Sequence, residues 1–263
     1  MKYNKNEVMK IVREVLGEDA TGVYIHNQVV SKDLDYDDMP LVSRLGESPF
    51  IIESTKKYEI HYGLTRLCIY PINKRINWVI KIPITGVYAE NYFEDDNDSN
   101  VYDGDFYSWE GDNFLGLTQV GTCECDSCDE ENIIYEESSY NAKKFMAKNH
   151  YIGTYNNIPI YIQEKAIICN SSVAYHKALF GFDSNFLRHE IDYLFDMESE
   201  IEEEIFFYNI ILNIGVQAAA QVIQEFGELT DLHNQNYGFN FKGIPVLFDY
   251  AGYQWGTHYS LIA

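Results

Sequence analysis

Apolar residues in the first eighteen positions recur at helical spacing. In MKYNKNEVMKIVREVLGE, Val8, Ile11, Val12 and Val15 fall on one face, which predicts a short amphipathic helix. The period then shortens. Residues 58–61 and 66–72 are strand-like runs joined by the turn sequence Tyr62-Gly63-Leu64-Thr65. Asn73-Lys74-Arg75 turns the chain into INWVIKIPI, residues 76–84, a buried strand by composition. IPIYIQEKAII, residues 158–168, reads as a further strand behind an Asn-Asn-Ile-Pro turn.

The second half turns helical. DEENIIYEESSYNAKKFMAKN, residues 129–149, places acids first and lysines last, a polarity that suits the helix dipole. In such a helix Glu136 and Tyr140, four apart, share a face. Residues 183–204 mix a heavy acidic load with Leu, Ile and Phe, as solvated helical faces do. IFFYNIILNIGVQAAAQVIQEFG, residues 205–227, is apolar on most sides and predicts one buried helix stopped by Gly227. The end reverts to strands: YGFNF, a Lys242-Gly243 turn and IPVLFDY predict a β-hairpin. A β-rich first half before a helical second half makes the fold class α+β. There is no internal repeat.

With 263 residues, 46% hydrophobic and 15% aromatic, the chain can bury the core of one large domain or two packed lobes. No apolar run approaches the roughly 20 residues of a membrane-spanning helix. The N-terminal segment alternates charge with apolar residues, unlike a signal peptide, so the expected compartment is cytoplasmic. The formal charge of −22 repels nucleic-acid phosphates and anionic lipid, which argues against direct DNA, RNA or membrane binding. It also lets carboxylates stand where a protein partner expects phosphates. Residues 82–142 contain no lysine or arginine, and the run 92–113 is acidic, Asn-rich and Gly-rich, which marks an inserted loop or flap.

Five cysteines without an export signal argue for reduced thiols. Cys123, Cys125 and Cys128 form a C-x-C-x-x-C that can seat zinc, but no fourth strong ligand is nearby, and Glu124 and Asp126 are modest substitutes. A zinc site and a loop of free thiols both stay open.

Candidate chemistry gathers near the end, in TDLHNQNYG (230–238) and FDYAG (248–252). Asp231, Asn236 and Asp249 offer the hard oxygens that Mg²⁺ prefers, and Mg²⁺ takes few protein ligands beside phosphates and water. A carboxylate off the metal can orient or deprotonate an attacking hydroxyl. The structural alternative is that Asp231 and Asn236 cap and turn the chain, His233 braces the loop and Asp249 is a strand-end acid. Lys81, inside an apolar strand, either snorkels to an edge or is aimed at an anionic ligand.

D-L-H-N-Q-N resembles the catalytic loop of the protein-kinase-like superfamily, in which an Asn follows the Asp by five positions. Its His two places after the Asp is closer to the aminoglycoside and choline kinase branch. D-Y-A-G stands where that family has its metal-binding Asp. Upstream the order matches too: a hairpin, the I-N-W-V-I-K strand, a helix with Glu, the hinge-like I-Y-I-Q-E-K strand, then a long buried helix. The resemblance covers about residues 58–252. It implies a two-lobed fold: an N-terminal helix and extension (1–57), a β-rich N-lobe (58–165) with an acidic insertion at about 87–130, and a minimal helical C-lobe (166–263). It implies further that Asp231 is the catalytic base and that Asn236 and Asp249 hold Mg²⁺. Lys81 would reach the ATP phosphates, held by Glu136 or its neighbour Glu137. Gln163, Glu164 and Ala166 would meet adenine through their backbone, and Gly63 would stand for the phosphate-covering loop. The implied partners are Mg-ATP and a small-molecule or protein acceptor.

Three departures temper that picture. The glycine-rich loop is reduced to Gly63, which weakens backbone cradling of phosphates. Thr230 replaces the arginine before the catalytic Asp. Eleven residues follow Gly252, too few for an activation segment or substrate-binding helices, so the expected C-lobe is truncated. Two readings follow: an active phosphotransferase, or a catalytically inactive kinase-like protein that inhibits a partner through its acidic surface, nucleic-acid mimicry included. The Asn and Tyr richness and small size resemble kinase-like proteins of bacteriophages, for which the compartment is the host cytoplasm.

Overall fold

The computed structural model describes residues 1–27, 40–45, 49–63, 65–73, 75–90, 107–108, 113–114, 117–123, 127–168, 201–226 and 236–250. Its elements mix α and β, with antiparallel pairing predominant. The chain divides into two compact units, residues 1–129 with 150–162, and residues 130–149 with 163–263.

The first unit is built on α1 (Lys5–Leu16). Asn4 caps it by accepting the Asn6 N–H at 2.9 Å, and Gly17, at φ 83, ends it with its N–H on Arg13 O. Val8, Ile11, Val12 and Val15 are buried as the periodicity predicts, with Leu16 beside them. They pack on Leu67, Ile69, Trp78, Ile80, Ile82, Ile158, Ile160 and Ile162.

The strands of this unit are β1 (Tyr24–Asn27), β2 (Leu41–Arg44), β3 (Phe50–Ile52), β4 (Tyr58–Tyr62), β5 (Arg66–Pro71), β6 (Trp78–Pro83), β7 (Gly86–Glu90), β8 (Tyr107–Ser108), β9 (Asn113–Phe114), β10 (Leu117–Cys123) and most of β11 (Asn149–Tyr155) and β12 (Ile158–Glu164), whose end residues Asn149, Gln163 and Glu164 belong to the second unit. One sheet runs β3-β2-β1-β7-β10-β8, with β9 also on β10. The acidic insertion is therefore not wholly loop: β7 and β10 pair antiparallel from Leu117↔Glu90 to Thr122↔Gly86, and β7 lies parallel to β1. Segments 24–27, 41–44 and 50–52, unmarked by periodicity, supply three more of that sheet's strands.

The second sheet runs β11-β12-β6-β5-β4. β4, β5 and β6 form an antiparallel meander, Tyr62 opposite Leu67 and Cys68 opposite Lys81. On β6, Trp78, Ile80 and Ile82 join the α1 core, so Val79 and Lys81 point to the other face. Asn156 and Asn157, at φ 49 and 68, make the two-residue turn of the β11–β12 hairpin, where two left-handed residues match the strand twist. The Asn156 amide donates to Glu18 O and Ala20 O, tying that turn to the end of α1.

The second unit contains most of α2 (Ser127–Glu137), a 3₁₀ turn (Ala142–Phe145), β13 (Ile167–Ile168), α3 (Ile201–Ile214), α4 (Val216–Phe226), β14 (Tyr237–Phe239) and β15 (Pro245–Leu247). The helix predicted over 129–149 is shorter than its composition suggests. Ser138 sends both N–H and Oγ to Ile134 O, at 3.0 and 2.6 Å, and α2 ends there. Tyr140 lies beyond that end, so it does not share a helical face with Glu136. The single long helix over 205–227 is likewise two helices, broken at Gly215, whose φ of 80 suits glycine alone at low cost. Phe206 packs between Phe226 and Tyr237, with ring centroids 5.9 and 5.4 Å away. β13, β14 and β15 form a small antiparallel sheet. The predicted final hairpin is present, with a longer turn than Lys-Gly alone: Asn240 Oδ1 accepts from Lys242 N and Ile244 N, and Gly243 sits at φ 73. No helix among the described residues is long and apolar enough to cross a membrane.

Candidate functional site

Asn236 and Asp249 flank the β14–β15 hairpin, and the hairpin register brings their backbones together. Asn236 O accepts from Phe248 N at 2.9 Å and from Asp249 N at 3.4 Å. Asn236 is buried and Asp249 is half-buried, so an amide and a carboxylate stand at one end of a short rigid ladder. Two hard-oxygen residues on neighbouring backbone fit a small cation that takes its remaining ligands from phosphate and water. Asp231 and His233 lie outside the described residues, as do Ala251 and Gly252. Among the described residues no three His, Cys, Asp or Glu side chains group to hold a metal.

Behind Asp249 the chain enters a buried polar cluster. Tyr250 is buried and its hydroxyl donates to Ala147 O at 3.0 Å. Glu131, fully buried on α2, accepts at Oε2 from Asn149 Nδ2 at 3.0 Å and Gln163 Nε2 at 3.4 Å. Burial pushes the Tyr250 phenol well above 10; the Glu131 carboxylate and Tyr135 push the same way, and the two amides oppose them. Tyr250 is therefore a neutral donor across the physiological range. Asn149 Oδ1 is buried and accepts no hydrogen bond among the described residues.

The remaining predicted positions are distributed as follows. Lys81 is 4% exposed in the middle of β6, far from an edge-strand snorkel. Glu136 and Glu137 are exposed, and the Glu136 backbone oxygen accepts from Lys143 Nζ at 2.7 Å. The buried acid of that helix is Glu131, which the sequence reading passed over. Its signal was present: Cys128, Glu131, Ile134, Tyr135 and Ser138 are buried at helical spacing, so Glu131 falls on the inward face.

Gln163 ends the buried part of β12, with its side chain engaged by Glu131. Glu164 N donates to Lys148 O at 2.8 Å. Ala166 lies in the two-residue break between β12 and β13, and its backbone makes no hydrogen bond among the described residues. Gly63 has an ordinary negative-φ backbone, donates to Arg66 O, and has open space where a Cβ would stand. Cys128 is buried on α2 and Cys123 ends β10, while Cys125 lies outside the described residues.

No protein-family model, curated protein or solved structure matches the chain.

Proposed function

We propose that this chain is a kinase-like protein of the cytoplasm, two-lobed in architecture, that binds Mg-ATP and transfers the γ-phosphate to a hydroxyl of a small molecule or protein. The observation that carries the reading is the meeting of Asn236 and Asp249 across the base of the final hairpin. The amide of Asn236 and the carboxylate of Asp249 would be the residues to hold Mg²⁺, which would supply charge neutralisation at the phosphates. Element order supports it. In protein kinases the phosphate-binding lysine sits on the third strand and pairs with a glutamate of the next helix. Here Lys81 is buried on the third strand of the β4–β5–β6 meander, and the next helix in chain order is α2, which carries Glu136 and Glu137. Among the described residues the Ala166 backbone makes no hydrogen bond, and it lies in the segment assigned to adenine. Asp231 would orient the acceptor hydroxyl. When bound, Mg²⁺ would neutralise charge on the transferring phosphate.

The open, unstrained Gly63 favours a second reading, a catalytically inactive binder that works through its acidic surface. A turn that does not require glycine offers no specialised phosphate cradle. Asp231→Ala separates the two: it abolishes function in an enzyme and spares a binder.

The direct test is thermal unfolding with and without ATP and Mg²⁺, beside Asp249→Ala. Ligand at 100 times Kd adds about 2.7 kcal/mol. At roughly 2–4 °C per kcal/mol, the melting temperature rises by several degrees, and Asp249→Ala loses the magnesium-dependent part. No rise at saturating nucleotide would sink the nucleotide reading.

A further inference from the structure

Asp249 is held from its N-terminal side by the ladder, where Asn236 O accepts from Phe248 N and Asp249 N. On its C-terminal side the next residue turns inward. Tyr250 is 2% exposed, and its hydroxyl is a long reach from its own backbone, bound to Ala147 O. Ala147 is itself fixed, because its N–H donates to Leu247 O of β15. The hydroxyl thus closes a ring: β15 holds Ala147 from one side, and Tyr250, three residues past Leu247, holds it from the other. Asp249 sits inside that ring. The Asn149 and Gln163 amides that face the phenol are in turn anchored on Glu131. A phenylalanine at this position would fill the same space and supply none of these bonds. For packing alone, an apolar ring is cheaper, since each buried hydroxyl must find partners.

We propose that Tyr250 is a positioning residue for Asp249, its hydroxyl clamping the backbone after Asp249 to Ala147 so that the carboxylate is held ready for a divalent cation. The proposal rests on the Mg-ATP reading above. It assigns to Tyr250 a role through Asp249, with no contact to nucleotide or acceptor.

The experiment is a calorimetric titration of ATP into the full chain over a series of Mg²⁺ concentrations, and of ATP in EDTA. Tyr250→Phe deletes the hydroxyl alone. The half-saturating Mg²⁺ concentration is expected to rise about tenfold, the loss of one hydrogen bond, with metal-free ATP affinity unchanged. Phe226→Leu, a destabilising change in the α4 core, controls for stability and should leave the Mg²⁺ midpoint where it is. An unchanged midpoint in Tyr250→Phe overturns the positioning role and leaves the nucleotide reading intact. Absence of any Mg²⁺ dependence in the unaltered protein overturns both. If Tyr250→Phe does not fold, Asn149→Ser, which removes one amide facing the phenol, replaces it with an expected shift of about threefold in the same direction; no shift there overturns the role.

Discussion

The cores of the two units are made of different material. Under α1, the buried set is aliphatic with one tryptophan, and its members come from strands that alternate inward and outward. In the second unit the core holds an aromatic cluster around Phe206, and with it a carboxyl that accepts from two amides and a phenol that donates to a backbone carbonyl. An aliphatic core is stabilised by area and tolerates any filling of similar volume. A polar cluster is directional, so it fixes one arrangement and fails when a single partner is lost. The candidate site lies on the directional side, where Asp249 and Tyr250 are neighbours.

The largest expected effect breaks the aliphatic side. Trp78→Ala should destabilise by about 3–5 kcal/mol, through lost burial and the cavity left behind. Ile80→Val, which deletes one methyl at the same core, should cost only about 0.5–1.5 kcal/mol. Denaturant melts of both variants, with hydrogen exchange read in α1 and β5, check this ordering. A Trp78→Ala loss below that of Ile80→Val would contradict the description of the core.

On the polar side, Glu131→Ala leaves the Asn149 and Gln163 amides without their acceptor, and each buried donor left unmade costs about 1–3 kcal/mol. A total of about 2–6 kcal/mol is expected. Glu131→Leu, closer in volume, should recover little, whereas Ile80→Leu in the other unit should cost under about 1.5 kcal/mol. Equal tolerance of the two leucine substitutions would erase the contrast.

Gly215→Ala is smaller: a Cβ at φ 80 costs about 1–2 kcal/mol, although nothing stands within contact of it. Gly63→Ala, at an ordinary φ with equal space, should change stability by less than about 0.5 kcal/mol. Thermal melts of the pair separate backbone strain from side-chain crowding.

The smallest effect is electrostatic and belongs to the first unit's surface. Glu14 Oε2 accepts from Tyr58 OH at 2.9 Å and Lys57 Nζ at 3.1 Å, and these contacts lower the Glu14 pKa, the tyrosine first. Its stabilising contribution is present above the ordinary carboxylate pKa and is lost as pH falls through the lowered one. Tyr58 is pushed up to about 12, first by burial and then by Glu14. Its neutral form is the one the fold favours, so that contribution is complete below 10 and disappears as pH rises toward 12. In Glu14→Gln, absorbance titration should find Tyr58 ionising at lower pH, still above 10 because burial remains. A Tyr58 pKa unmoved by that substitution would remove Glu14 from the account.

Local pattern decided α1, the β4–β5–β6 meander, the β11–β12 turn and the final hairpin, because each is set by spacing and turn residues within a few positions. The backbone approach of Asn236 to Phe248 and Asp249 follows from the same local hairpin, whose register pairs Tyr237 with Leu247. Asp231, the third member of that motif, falls outside the described residues. Tertiary structure decided the rest. Glu136 and Glu131 lie on the same helix, five positions apart; helical spacing puts Glu131 on the face of Cys128, Ile134 and Tyr135, and the packing that covers that face makes it the buried acid. The acidic insertion reads as a loop or flap because its strands, β7 and β10, are far apart in sequence, and β7 pairs with both β10 and β1. The break at Gly215 was hidden in an apolar run whose periodicity is compatible with one helix or two. Spacing along the chain tells which residues share a face, and the partner that covers the face is settled by contacts distant in sequence.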